Sequence, residues 1–322
     1  MTARPLGSLP LLDSSAPVPV DRPFLLAEAL RAGASPHRVR MLEQHGLIRR
    51  LIKSVYVAAQ LPDDLTTRAR ALHLVVPREA VVTDWTACWF WTGVLKTGDH
   101  RATPPLSIFH TVPHRRLRND LCASGARALR PSDIVDTDDL RVTTPVRTAW
   151  DLGRLAHRDN AIGALDALLR HGSFGRDELL EGVERFKGMR GVVQLRALAP
   201  LADPRSESPG ESTLRLRWLD IPSIPPPTPQ VSIMVNGVEV YRIDLGVEEL
   251  QYGCEYDGAD FHPLDDPHDK ARRSDLLQRF GWDVDAARRE NVFGVHRNIE
   301  EILHVGIRRA RRSRGRRPSY EG

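Results

Sequence analysis

The sequence is poor in cysteine: its 322 residues include only Cys88, Cys122 and Cys254, with no C-x-x-C spacing among them. This argues against a disulfide framework and a cysteine zinc site, and it is typical of a reducing compartment. No apolar run approaches the length of a membrane span, and the first residues lack the apolar stretch of a signal peptide. We therefore expect a cytoplasmic protein without a membrane partner.

Acidic residues are scarce at the C-terminal end. Residues 308–322 hold seven arginines and one glutamate, so removing them would change the formal net charge from +4 to −2. The excess positive charge thus belongs to a basic tail rather than to the body of the chain. Such a tail either holds phosphate backbones non-specifically or is a disordered, solvated end, and the sequence leaves both interpretations open.

The N-terminal region has the outline of a winged helix-turn-helix. Residues 1–22 are rich in Pro, Ser and Gly and are predicted to be a flexible lead, and the winged unit is predicted over 23–60. Phe24 to Leu30 is predicted to be a short helix. Ser35 and Pro36 are typical of a second helix start, and Gly46 is typical of its end. Two short strands are predicted between residues 47 and 57.

The charges of this unit suit DNA. Between Arg31 and Lys53 there are six basic residues and one acid, Glu43. In helix-turn-helix proteins the second helix enters the major groove, so we expect His37, Arg38 and Gln44 to reach base edges and the wing to hold phosphates. The alternative is a small packing module with a solvated basic face. The candidate nucleic-acid-binding residues are His37, Arg38, Arg40, Arg49, Arg50 and Lys53.

The rest of the chain alternates helical and strand patterns. Residues 61–201 are predicted to be a mixed α+β domain, 202–210 a linker, and 211–307 an α/β sandwich built as helix, three strands, helix and strand. An aromatic cluster within 85–91 either stacks on bases or forms core, and core is the preferred interpretation because these side chains bury large apolar areas. The expected fold class is therefore α/β and α+β, multidomain.

A predicted β-hairpin over residues 240–258 carries a carboxylate cluster. Apolar and polar residues alternate in both halves, which predicts half-buried strands. With the turn at Glu248–Glu249 and Val247 paired with Leu250, Ile243 and Leu245 lie on one apolar face, opposite Cys254 and Tyr252.

On the other face of this hairpin, Asp244, Glu255 and Asp257 point the same way, with Asp244 and Glu255 as diagonal neighbours. Carboxylates this close repel one another unless a proton or a cation separates them, and oxygen ligands in small number suit magnesium. The alternative is a solvent-exposed acidic face without function.

Two regions resemble known families. The winged unit and the phrase RVTTPVRTAWDL at 141–152 resemble the AbiEi family of antitoxins from type IV toxin–antitoxin systems, over about residues 23–200. This resemblance implies a promoter-binding repressor and a cognate toxin as partner. Ser54 stands where the family pattern has glycine before the second wing strand, which puts the wing turn in doubt.

Residues of about 205–310 resemble the Vsr-like (very short patch repair) branch of the PD-(D/E)xK, restriction-endonuclease-like superfamily. The matching positions are Ser208–Glu211, Arg242 with Asp244, Glu255–Gly258, His262, and Gly281-Trp282 with Val284. The resemblance implies Asp244 and Glu255 as ligands of Mg²⁺ and His262 as base or leaving-group acid. Two roles remain open for Glu211: a third carboxylate of the site, or the glutamate of a capping box.

The sequence departs from this second family at two places. Asp257 stands where the superfamily has its catalytic lysine, so Lys270, Arg272 or Arg273 would have to replace that charge. Asp285-Ala286 stand where an apolar residue and an arginine are expected, so Arg288 or Arg289 would substitute. The candidate catalytic residues are Glu211, Asp244, Glu255, Asp257 and His262. The sequence therefore predicts a DNA-binding, magnesium-dependent endonuclease or, alternatively, an antitoxin-like repressor with an inactive endonuclease-like domain; it leaves the oligomeric state open.

Overall fold

The computed structural model describes residues 11–94, 106–110, 122–137, 140–258 and 267–314. The chain forms two compact units, of which the first is Met1–Leu155 with His171–Val192 and the second is Ala156–Arg170 with Val193–Gly322. Within the described ranges, no helix is both long and apolar enough to cross a membrane. The prediction of a multidomain chain that mixes helices and sheets is confirmed at this level.

The first unit begins with two short helices and a three-stranded antiparallel sheet of order β1-β3-β2. The Ser35 hydroxyl accepts the Arg38 N–H at 3.1 Å and Pro36 occupies the first turn, so the second helix begins at the predicted cap. Phe24 and Leu25 were predicted to be helical but pair with the central strand of this sheet, residues 55–58. The elements are β1 (Phe24–Leu25), α1 (Leu26–Arg31), α2 (Pro36–Gln44), β2 (Ile48–Ile52) and β3 (Val55–Ala58).

Ser54 makes the turn between β2 and β3 with a φ of +69°, a conformation that glycine adopts without strain. Its carbonyl accepts the N–H of Leu26 at 3.1 Å, which ties the turn to the start of α1. The β2–β3 turn is therefore formed by a serine in a conformation that favours glycine.

The rest of the first unit is built on a five-stranded mixed sheet of order β6-β5-β4-β8-β7. Trp89 and Phe90 are almost fully buried in its core and Trp91 packs against it, which confirms core for these three residues, whereas Trp85 is half-buried. The elements are α3 (Leu65–His73), β4 (Val81–Val82), α4 (Asp84–Thr92), β5 (Leu106–His110), β6 (Cys122–Ala126), β7 (Ile134–Thr137), β8 (Leu140–Thr143), α5 (Pro145–Leu155) and α7 (Arg176–Arg185).

The phrase at 141–152 builds a buried ion network rather than an exposed site. Asp151 is 1% exposed and accepts hydrogen bonds from Arg127, Arg147 and Arg154 at 2.8–3.0 Å. Arg147 also donates to Asp133 at 2.6 Å. Buried charges persist when they are paired and hydrogen-bonded in this way. The distinctive arginine of the phrase is therefore part of the folding core of this unit.

The second unit is a four-stranded sheet of order β12-β11-β10-β9, in which only β11 and β12 are parallel. The crossover helix α10 connects these two strands, as parallel neighbours require. The elements are α6 (Arg158–Arg170), α8 (Val192–Leu198), α9 (Pro209–Leu219), β9 (Thr228–Val235), β10 (Val238–Val247), β11 (Tyr252–Asp257), α10 (Pro267–Phe280), β12 (Asp283–Arg288), α11 (Arg289–Val292) and α12 (Ile299–Arg314).

Helix α6 belongs to the second unit, although the sequence placed it in the middle domain. Arg215 and Arg217 of α9 form buried ion pairs with Asp166 and Asp159 of α6, at 2.6 and 2.5 Å. Gly163 permits close packing, because a Cβ there would meet Pro209 at 3.0 Å. The pairing of α6 with α9 therefore defines one wall of this unit.

Two predicted boundaries differ from the structure. The linker at 202–210 is packed, with Ala202 and Ser206 buried and the N–H of Asp203 bonded to Asp166 at 2.8 Å. The basic tail predicted from residue 308 is helical up to Arg314, because α12 continues through it. The remaining tail residues, 315–322, lie outside the described residues.

Candidate functional site

The carboxylates of the hairpin meet where β10 and β11 stop pairing. The ladder runs from Val247–Tyr252 to Leu245–Cys254, so the register is displaced by two residues from the predicted one. The turn is a 3-10 segment, Glu248–Leu250, followed by a left-handed Gln251. A displacement of two keeps the alternation, so continuing this register sets Asp244 opposite Glu255 instead of diagonal to it.

The predicted apolar face is wrong in one respect. Leu245 packs with Tyr252 and Cys254 in the core under α9 and α12, whereas Ile243 packs with Leu276 and Trp282 on the α10 side. The two side chains thus lie in different clusters, on either side of Asp244. This change coincides with the end of the β10–β11 ladder.

Beyond the ladder, the side chain of Asp244 accepts a hydrogen bond that a backbone carbonyl of the neighbouring strand would otherwise accept. Its Oδ2 accepts the backbone N–H of Tyr256 at 2.8 Å, which satisfies a donor of β11 beyond the ladder. Burial first, and then the charges of Glu211 and Glu255, raise the pKa of Asp244 to about 7, against the opposing effects of the Tyr256 N–H and Arg272. Asp244 is therefore a buried carboxylate whose ionised form is opposed by the neighbouring negative charges.

Glu255 is held by an arginine from the crossover helix. Arg272 Nη1 donates to Glu255 Oε2 at 2.7 Å and Nη2 to Oε1 at 2.6 Å, a two-bond, fork-to-fork contact. Glu255 is 9% exposed, and the Arg272 guanidinium also lies 5.8 Å from the ring centre of Tyr241. The sequence predicted Arg272 as a stand-in for lysine and missed its bond to Glu255.

Glu211 is both a capping residue and a neighbour of the cleft. The Ser208 hydroxyl accepts its N–H at 3.2 Å, and its carboxylate accepts the N–H of Glu207 at 2.9 Å and the amide of Gln230 at 2.8 Å. Burial raises the pKa of Glu211, although these hydrogen bonds oppose the shift. The sequence missed Gln230 as its partner.

Gly210 brings the start of α9 against β11. A Cβ at this position would overlap the ring of Tyr256, so only glycine allows the helix to approach so closely. This close approach brings Glu211 near enough for its charge to raise the pKa of Asp244. The Ser-Pro-Gly-Glu motif thus serves geometry and electrostatics together.

Of the other residues singled out from the sequence, Asp257 also lines the cleft and Asp285 does not. Asp257 forms an ion pair with Arg288 of β12 at 3.7 Å. Asp285 lies away from the cleft and accepts hydrogen bonds from Tyr252 at 2.9 Å and from Arg309 at 3.0 Å. His262 lies outside the described residues, as does the Lys270 side chain.

The cleft has room for a small ion and its waters. Its volume is about 200 Å³, and its lining residues are Asp244, Glu255, Tyr256, Asp257, Arg272, Arg273 and Ala286. Among the described residues, no three His, Cys, Asp or Glu side chains stand together in a geometry that would hold a metal ion. Magnesium needs fewer protein ligands, because it keeps several waters and is bound through one or two carboxylates and phosphate. Asp244 and Glu255 carry oxygens of this kind, and both oxygens of Glu255 are occupied by the Arg272 guanidinium.

The predicted DNA-binding residues of α2, β2 and the β2–β3 turn differ in their exposure and in their contacts within the protein. His37, Arg38 and Arg40 are exposed on α2, and Lys53 is half-buried in the wing turn. Arg49 donates to the Leu61 carbonyl at 2.9 Å. Arg50 contacts Glu43 at 3.3 Å and lies 5.2 Å from the ring centre of Tyr56.

The fold and cleft define a multidomain α/β and α+β protein with a basic helix in one unit and a carboxylate pair in the other. No protein-family model matches the chain. The chain is 33% identical over 264 residues to "Uncharacterized protein MT2308" of Mycobacterium tuberculosis strain CDC 1551 / Oshkosh, over 77% of this chain and 89% of that protein. The same figures hold for "Uncharacterized protein Rv2248" of strain ATCC 25618 / H37Rv. The chain belongs to the family of these two mycobacterial proteins.

Proposed function

We propose that this protein binds DNA and hydrolyses its phosphodiester bonds with magnesium in the second unit. The observation that carries the proposal is that Asp244 and Glu255 line one small cleft, just beyond the last paired residues of β10 and β11. Two mutually destabilising carboxylates at the end of a strand ladder are costly for folding, and such clusters mark functional sites more often than chance.

Each group of the cleft has a role in this proposal. Asp244 and Glu255 would hold the ion, and a magnesium ion bound there would activate water and offset charge on the phosphate. Arg272 and Arg273 line the same cleft and supply positive charge for the phosphate, in place of the lysine that Asp257 replaces. The resemblance to Vsr-like endonucleases supports the same assignment.

Cleavage of DNA tests this proposal directly. We expect the purified protein to nick plasmid or single-stranded DNA with Mg²⁺ or Mn²⁺ but not with EDTA. Asp244→Asn and Glu255→Gln should each lower the rate by about 10²–10³-fold, because each removes charge from the ion site. Gel shifts should show DNA binding unchanged in both variants.

Glu249→Gln is the matched control, because Glu249 is an exposed residue of the hairpin turn and loses the same charge. Cleavage by Asp244→Asn and Glu255→Gln at the wild-type rate would remove the assignment. A wild-type protein that cleaves no DNA with either ion would do the same.

A second candidate function is repression without catalysis. It is favoured by the engagement of both Glu255 oxygens by Arg272 and by aspartate at position 257. In this case the winged region would bind the protein's own upstream DNA, with a cognate toxin as a further partner, as the AbiEi resemblance implies. A footprint over that upstream region supports this function, and equal affinity for competitor DNA counts against it.

Under either function, the exposed arginines of α2 should contribute to DNA binding. We expect Arg38→Ala and Arg40→Ala each to weaken DNA binding about three- to tenfold, and to lower the slope of log K against log salt by about one. Fluorescence anisotropy over a salt series measures both quantities.

Arg22→Ala is the control for this experiment, because Arg22 is paired with Glu28 at 3.2 Å and lies outside α2. Its loss removes the same charge from the same region. Equal weakening by all three variants would assign the effect to net charge and contradict a role of α2.

A further inference from the structure

The Arg272–Glu255 contact occupies the oxygens that the proposed ion needs. Both carboxylate oxygens accept a guanidinium N–H, at 2.6 and 2.7 Å. A two-bond contact of this kind is stronger and more directional than a single ion pair. A divalent cation can therefore take Glu255 only after Arg272 has left it.

The contact is also restrained from the arginine's side. The Arg272 guanidinium lies 5.8 Å from the ring centre of Tyr241, whose hydroxyl donates to Asp275 of the same helix at 2.7 Å. Arg272 Nη2 also lies 3.4 Å from the Arg242 carbonyl of β10. Helix α10 thus presents Arg272 to Glu255 in a defined geometry rather than as one of many surface rotamers.

A released Arg272 guanidinium could pair with a phosphate that enters the cleft. Once a cation holds Glu255, two positive groups on one carboxylate repel each other. The Arg272 side chain is 29% exposed, so it has access to solvent and to a ligand entering the cleft. A guanidinium matches the two oxygens of a phosphodiester as well as those of a carboxylate.

We propose that Arg272 is a latch on Glu255 that exchanges this carboxylate for a DNA phosphate oxygen when a divalent cation binds. The inference rests on the proposed function, since it concerns the same cleft. Binding of the ion and binding of DNA then depend on each other. In the free protein Arg272 competes with the ion for Glu255, and a phosphate that binds Arg272 ends this competition. Coupling of this kind is reciprocal, so the ion strengthens DNA binding by the same factor.

The test is the affinity for Mn²⁺ alone, measured by isothermal titration calorimetry on the full chain without DNA. Arg272→Gln should bind Mn²⁺ at least about tenfold more tightly than the wild type, because a charge-assisted competitor is removed. Arg272→Lys keeps the charge but loses the fork, so it should also bind more tightly than the wild type. Arg273→Gln removes the same charge from the neighbouring position and should change the affinity less than Arg272→Gln does.

The outcomes separate this inference from the function on which it rests. If the wild type binds Mn²⁺ and neither Arg272 variant binds it more tightly, the latch is overturned and the ion site remains. Equal gains in Arg272→Gln and Arg273→Gln, with none in Arg272→Lys, also overturn the latch, since net charge then explains the effect. Absence of Mn²⁺ binding in the wild type and in every variant overturns the ion site itself. Binding by the Arg272 variants alone supports the latch, and circular dichroism spectra verify that each variant is folded.

Discussion

Asp244→Asn is expected to stabilise the metal-free protein at pH 8, although it should slow cleavage strongly. The pKa of Asp244 is raised from 3.8 to about 7 in the folded protein, first by burial and then by the charges of Glu211 and Glu255. The ionised form of Asp244 is thus less favourable in the folded protein than in the unfolded chain. Asparagine removes that charge and keeps an oxygen for the Tyr256 N–H, so the gain should be on the order of 2–4 kcal/mol.

The sign of the pH dependence follows from the same shift. Between about pH 4 and pH 7 the folded protein holds a proton on Asp244 that the unfolded chain has lost. The contribution of this residue to the free energy of unfolding therefore falls as pH rises through that window and is constant above it. The stabilisation of Asp244→Asn relative to wild type should vanish near pH 4 and be complete at pH 8.

Urea unfolding in EDTA, followed by circular dichroism at several pH values, measures this difference. Asp283→Asn is the control on the same sheet, because Asp283 is paired with Arg309 at 2.8 Å. Its loss should lower stability by up to about 1 kcal/mol, the worth of an exposed ion pair. A loss of stability in Asp244→Asn at pH 8 would contradict the electrostatic description of the cleft.

Asp151→Ala is expected to destabilise the first unit by about 4–5 kcal/mol. Three guanidinium groups, from Arg127, Arg147 and Arg154, donate to this one buried carboxylate. Removing it leaves uncompensated positive charge in a region closed to water, and breaking a buried pair from one side costs about 3–5 kcal/mol. With three donors affected, the loss should lie at the upper end of that range.

The measurement is urea unfolding of the full chain, and the control is Asp136→Ala. Asp136 lies on β7 of the same unit but is exposed, so its loss should change the free energy of unfolding by less than about 0.5 kcal/mol. Equal small effects of the two substitutions would show that the arginines find other partners, and would contradict a network organised around Asp151.

The hairpin shows how far local pattern predicts a site. Alternation placed Asp244, Glu255 and Asp257 on a common face, and the structure brings all three to one cleft. The register was wrong by two residues, because the turn takes a 3-10 segment and a left-handed Gln251 rather than two residues. An even displacement preserves the alternation along the strand, so the error changed which residues pair and left the three carboxylates together, although Ile243 joined a different apolar cluster from Leu245.

Contacts from distant segments were harder to predict. Arg272 and Gln230 are far from the hairpin turn in sequence, and nothing in their spacing shows that they bind Glu255 and Glu211. Helix α12 did carry a local signal, since Ile299, Leu303 and Ile307 recur at helical spacing and are buried. The run of arginines at its end was interpreted as a tail, although arginines on the outer face of an amphipathic helix give the same composition.

The alternation of chain segments between the two units has a consequence for biosynthesis. Helix α6 leaves the ribosome before α7, which completes the first unit, and its partner α9 ends only at Leu219. At about 5–20 residues per second, the residues between Arg170 and Leu219 take roughly 2–10 s to be made. During this time α6 emerges with its apolar side and two aspartates unpartnered. Translation rate and chaperone access over this interval should therefore govern the yield of folded protein.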